Sequence, residues 1–235
     1  NANIKLDDAH DLPQLKAINN ATNGSITFTD NTVKLAGSIA DVGAALAGVT
    51  GYTGEVDITD NGSDISATAI TAIADATNKT PVITQKPNIK GNAADVVTAL
   101  GKITNTGNAN IKLDDAHDLT QLRTINKATT GAITFKTNAV ALKGTVTELN
   151  EALNGVTGYA GTVTITNTDE VSESSVKSIV DSSAAGKVVI ESSEMTIKGA
   201  SAAMSVLMPL IGDTGSVKVK LSDAHNLSQL QTINN

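Results

Sequence analysis

The string ANIKLDDAHDL occupies residues 2–12 and returns without change at 109–119, and a looser copy, VKVKLSDAHNL, occupies 217–227. Self-similarity at a fixed period constrains a fold more than local propensity does. Every copy must take the same conformation and bury its apolar face against a neighbour. His10, His117 and His225 mark a period of about 107 residues. They define super-repeats 2–108 and 109–216 and the start of a third at 217–235, read as one continuous array over 1–235.

Within a super-repeat the pattern falls into shorter repeat units that begin at Ala2, Gly24, Gly54 and Pro81, then at Ala109, Gly131, Gly161 and Val188. Each is 22 to 30 residues long, enough for one strand and one helix. Alternation in steps of two predicts strands at Ile4 and Leu6, Ile26 and Phe28, Val56 and Ile58, Ile111 and Leu113, Ile133 and Phe135, and Val163 and Ile165. The residues between them, Lys5, Thr27, Asp57, Lys112, Thr134 and Thr164, form a polar face. Ile39, Val42, Leu46 and Val49, and their equivalents Val146, Leu149, Leu153 and Val156, have the spacing of one helical stripe. Capping pairs precede the helices: Asp11 with Gln14, Asp118 with Gln121, Asn226 with Gln229 and Thr145 with Glu148. Gly51, Gly158 and Pro209 are the expected stops.

One strand and one short helix cannot bury their own apolar faces, so the units must stack. The predicted fold is α/β, a right-handed β/α solenoid with a parallel sheet on one side and short helices on the other. With two Phe, two Tyr and no Trp, its core must be aliphatic and its layers thin. Roughly nine strands at ~4.8 Å each would extend on the order of 40 Å.

A net charge of −7 and a pI near 4.9, with no basic cluster, oppose nucleic-acid binding. No apolar run approaches the ~20 residues of a transmembrane helix. The absence of Cys excludes disulfides and thiolate chemistry. The chain begins at Asn1 without a signal peptide and carries no polar cap at either end, which suggests a window onto a longer array.

Three constellations could carry chemistry. His10, His117 and His225 stand in D-A-H turns beside Asp8, Asp115 and Asp223. Equivalent positions several strands apart cannot share one metal, so these are read as strand-to-helix turns whose Asp and His bond local backbone. The segment DITDNGSD offers Asp57, Asp60, Asn61 and Asp64 as oxygen ligands for calcium around Gly62. Its duplicate has Thr164, Asn167 and Val171 in place of the three acids, which favours a solvated turn. Thr27, Thr29, Thr162, Thr164 and Thr166 form a threonine-rich face that Lys5, Asp57 and Lys112 interrupt. Sequons at Asn20, Asn23, Asn61 and Asn78 predict exposed positions. No catalytic set is present, and with Arg123 the only arginine a polysaccharide-lyase site is not supported.

The run LDDAHDLTQLRTINKATTGAITF at 113–135, with ADVVTALGKI at 94–103, resembles the tandem repeats of giant secreted or cell-surface proteins of cyanobacteria. These include the motility-associated giant surface protein and the hemolysin-type giants. The resemblance implies a very large, extracellular parent that is not an enzyme over this region. The calcium-binding nonapeptide GGxGxD of such giants does not occur here. The expected function is a rod or spacer without cofactor, its partners being further copies of the same repeat end to end. The alternative is an adhesin-like module that binds a glycan or neighbouring surface protein through its polar strand face and turns, with Tyr52 and Tyr159 as anchors.

Overall fold

The computed structural model describes residues 2–104 and 107–234; Asn1 and Asn235, where the expected array begins and ends, lie outside the described residues. The chain divides into two compact bodies. The N-terminal body is Asn1–Asp115 with Ala128–Thr134, and the C-terminal body is Ala116–Lys127 with Phe135–Asn235.

Strands and helices follow one another as β1 (Ile4–Leu6), α1 (Leu12–Ala21), β2 (Ile26–Phe28), β3 (Leu35–Gly37), α2 (Ile39–Leu46), β4 (Val56–Ile58), β5 (Asp64–Ser66), α3 (Ala67–Ala76), β6 (Val82–Ile83), β7 (Asn88–Gly91), α4 (Ala93–Gly101) and β8 (Asn110–Leu113). Next come α5 (Leu119–Ala128), β9 (Ile133–Phe135), β10 (Leu142–Gly144), α6 (Val146–Leu153), β11 (Val163–Ile165), β12 (Glu170–Ser172) and α7 (Glu173–Ser182). The chain continues through β13 (Val188–Ile190), β14 (Thr196–Gly199), α8 (Ser201–Leu207), a 3-10 turn, β15 (Lys218–Leu221) and α9 (Leu227–Asn234). The fold is mixed α/β, with parallel sheets alternating with helices.

The strands named from alternation are all present, but the expected single sheet is instead a set of small ones. Among the described residues they are β1-β2, β3-β4-β6, β5-β7-β8-β9, β10-β11-β13 and β12-β14-β15. The cause is a second strand in most repeat units, placed just before the helix. At three or four residues, LAG, DIS, NIKG, LKG, EVS and TIKG are too short to show a period.

Parallel pairing joins strands of successive repeat units, so apolar residues stack on one another. Ile65 lies beside Ile89 and Ile89 beside Ile111. Leu142, Val163 and Val188 form a second ladder, and Val171, Ile197 and Val219 a third. β-Branched side chains suit this pleated, repetitive surface, which explains a core almost free of aromatics. Leu35, Val42, Ile58, Ile70 and Ile89 in the N-terminal body and Leu122, Leu149, Ile165, Val176 and Ile197 in the C-terminal body are fully buried. Each contributes about 1.5–3 kcal/mol of hydrophobic stabilisation.

Helix starts follow their capping chemistry. Asp11 and Gln14 form a reciprocal capping box at α1, as do Thr145 and Glu148 at α6. The Asp118–Gln121 and Asn226–Gln229 pairs make the same two hydrogen bonds. Helix ends come earlier than expected. α2 stops at Leu46 and α6 at Leu153, before Gly48 and Gly155, whose φ values of 71° and 72° no helix accommodates. Val49 and Val156 still point into the core, from beyond the helix rather than from its last turn.

Gly54 and Gly161 have a different task. A Cβ at Gly54 would lie 2.0 Å from the Val33 carbonyl oxygen, and one at Gly161 would lie 1.8 Å from that of Val140. Backbone from successive repeat units meets at these points, and only glycine fits.

Candidate functional site

His10 and His117, expected to bond local backbone in a turn, are buried, at 6% and 3% exposure, and each sets its Nε2 against the hydroxyl of a tyrosine 42 residues later. His10 Nε2 lies 3.1 Å from the Tyr52 hydroxyl, and that hydroxyl donates to the Val33 carbonyl at 2.7 Å. His117 Nε2 lies 2.7 Å from the Tyr159 hydroxyl, which donates to the Val140 carbonyl at 2.9 Å. A phenol has one hydrogen to give, so in each cluster the oxygen accepts from Nε2–H, and the imidazole is the Nε2–H tautomer. Phe28 and Phe135 complete the clusters, their ring centroids 5.1 Å and 4.9 Å from those of His10 and His117. Burial pushes the Tyr52 phenol up to about 12, helped by the charge of Asp30, and burial raises that of Tyr159 as well. Tyr52 and Tyr159, expected to be exposed anchors, are 0% and 1% exposed and form clasps inside the protein. His225 is exposed.

Two of the three D-A-H aspartates, Asp115 and Asp223, act across repeat units. Asp115 Oδ1 accepts from the Ala93 amide at 2.9 Å, and Asp223 Oδ1 accepts from the Ser201 amide at 2.7 Å. These amides belong to the first residues of α4 and α8, which have no partner within their own helix. Asp60 Oδ2 does the same for Ile39 in α2, and Asn167 Oδ1 for Val146 in α6, both at 2.6 Å. The exchange of Asp60 for Asn167 between super-repeats is thereby explained: the position requires an acceptor and not a charge.

The calcium candidates are held apart by other partners. Asp57, within β4, pairs with Lys34 at 2.6 Å. Asp60 is committed to α2, and Asp64 takes Lys112 at 2.6 Å and Asn88 at 3.0 Å. Lys112 is the main cause that holds the Asp64 carboxyl below its usual range. Asn61 is exposed beside Gly62, whose φ is 71°. Among the described residues, no group of three or more His, Cys, Asp or Glu side chains is placed to hold a metal ion.

The exposed strand faces carry a lattice of ion pairs between repeat units, including Lys143–Glu191 at 2.8 Å and Lys220–Glu170 at 2.9 Å. In the register, Thr27 lies beside Lys5 and Thr164 between Lys143 and Val189, so the threonines form no continuous array. The four sequon asparagines, Asn20, Asn23, Asn61 and Asn78, are exposed, with Asn20 in the last turn of α1. An open polar groove of about 630 Å³ runs over α6 and α7, lined by Asn126, Asn150, Glu151, Ser174 and Ser178 among others. Among the described residues no helix is long and apolar enough to cross a membrane.

No known protein family and no curated protein matches the chain. Among solved structures, the plant peptide hormone receptor RGFR1 in complex with RGF2 is similar over 97% of this chain, at 13% identity and a TM-score of 0.26. The chain spans 38% of that receptor's length, and the likeness is too slight to bear on fold or function.

Proposed function

We propose that the chain is a structural repeat segment, a rod or spacer within a very large secreted or cell-surface protein, and that it performs no catalysis. The observation that carries this reading is the reuse of one set of contacts in both bodies: strands paired one repeat unit apart, helix amides accepted from the next unit, and a His–Tyr clasp. Contacts of this kind extend order along a chain without creating a centre. The reading makes the fold a right-handed solenoid whose partners are further copies of the repeat. Small-angle scattering of the full chain with calcium and then with a chelator tests it. A rigid rod unchanged by the chelator is expected, a compact particle would overturn the solenoid, and loosening without calcium would make Asp57, Asp60, Asn61 and Asp64 a true site.

The groove over α6 and α7 favours a second reading, a glycan-binding adhesin module. Its amide and hydroxyl lining suits sugar hydroxyls, whereas the buried tyrosines take no part. Silence of the full chain on a glycan array removes this reading.

A further inference from the structure

α9 carries the residue pattern of α1 and α5 but not their burial. Leu15 of α1 and Leu122 of α5 are 0% exposed, whereas the equivalent Leu230 is 39% exposed and Leu227 is 71% exposed. In the N-terminal body, α1 is covered by α2: Lys16 pairs with Asp41, and Asn19 Nδ2 donates to the Ala45 and Ala47 carbonyls, both at 2.8 Å. In the C-terminal body, α5 is covered by α6 in the same manner. Arg123 pairs with Glu148 at 3.2 Å and Glu151 at 2.6 Å, and Asn126 Nδ2 donates to the Ala152 and Asn154 carbonyls at 2.8 Å. The histidine preceding each of these helices is closed over by the tyrosine 42 residues later.

We propose that His225, Leu230, Ile233 and Asn234 form a docking surface for one occupant, a strand–helix segment with the residue pattern of 131–165, joined to the chain in sequence. The proposal rests on the repeat-segment reading and specifies what the segment must bring. Its phenylalanine stacks on His225, its helix lies over Leu230 and Ile233, and its tyrosine donates to backbone while accepting from His225. Asn234 stands where Asn19 and Asn126 stand, and it takes the free carbonyls at that helix's C-terminus. Gln231 stands where Lys16 and Arg123 stand, so the interface dispenses with their ion pairs. The two internal interfaces, α1 under α2 and α5 under α6, are the templates for this one.

The test extends the full chain after Asn235 with a second copy of residues 128–190, which keeps the repeat in register. Amide hydrogen exchange of α9 is compared with that of the unextended chain. Protection of α9 is expected to rise by about tenfold or more, toward that of α1 and α5. The His225 ring should become the Nε2–H tautomer by nitrogen chemical shift, and Leu230→Glu in the extended chain should abolish both changes. Unchanged α9 protection, whether or not the added segment gains helical circular dichroism, would overturn the proposal. So would concentration-dependent protection of α9 in the unextended chain, which would assign the face to a second copy. Scattering tests the rod independently, so either idea can fail while the other stands.

Discussion

The Tyr52 hydroxyl accepts from His10 Nε2 and donates to the Val33 carbonyl, and so ties together three positions spread over forty-two residues of chain. Removing the oxygen leaves a buried imidazole N–H and a backbone carbonyl without their partner. Tyr52→Phe and Tyr159→Phe are each expected to cost about 1–3 kcal/mol in urea denaturation, with little change in m-value. In the wild-type chain, nitrogen NMR should report the Nε2–H tautomer for both His10 and His117. The opposite tautomer would contradict the hydrogen-bond direction assigned to the clasp.

Alkaline titration follows from the same burial. A phenol whose folded pKa is raised from an unfolded value of about 10 contributes stability that is fully present below pH 10 and is lost as pH climbs through the folded value. For Tyr52 that window ends at about 12. Absorbance at 295 nm should therefore show neither tyrosine ionised in the native chain at pH 10, whereas the urea-unfolded chain should be about half ionised there. A native transition near pH 10 would show that the rings are accessible.

The helix caps supplied by the next repeat unit predict a difference between charge and acceptor. Asp60→Ala should cost about 1 kcal/mol, the usual value of a lost N-terminal cap, while Asp60→Asn should stay within about 0.5 kcal/mol of wild type. Melting temperatures of both variants, with calcium and with chelator, separate this role from ion binding. A calcium-dependent loss in Asp60→Asn would restore the metal reading.

Two glycine substitutions should move stability in opposite directions. Gly161→Ala forces a methyl group against the Val140 carbonyl, and about 3 kcal/mol or more of destabilisation is expected from the backbone displacement. Gly43 lies inside α2 with open space around it, so Gly43→Ala should stabilise by about 0.5–1 kcal/mol. Chemical denaturation of the pair tests whether the repeat units meet as closely as the structure places them.

Strand positions and helix starts were legible because each depends on neighbours in sequence. The alternation at Val56 and Ile58 and the Asp11–Gln14 box are complete within a few residues. What escaped depends on residues a full repeat unit away. Asp60 looks like a ligand until the amide of Ile39 is known to lie above it, and Tyr52 looks like a surface anchor until His10 is found against its hydroxyl. The second strands escaped for another reason. Three residues such as LAG have almost no period, and they become strands because β4 stands ready to pair with them. The changes at Asp57, Asp60 and Asp64 in the duplicate were a visible signal. They count against a ligand set, while only the geometry explains why Asn167 is tolerated.

The acceptors for the first amides of α2, α4, α6 and α8 all come from residues later in the chain, at sequence separations of 21 or 22. During synthesis, the first amide of each of these helices therefore waits for downstream residues to leave the ribosome, while Ser38, Asn92 and Thr145 already accept from the third residue of α2, α4 and α6. Order in the nascent chain trails elongation by about one repeat unit, and a stalled chain presents its newest helix unfinished.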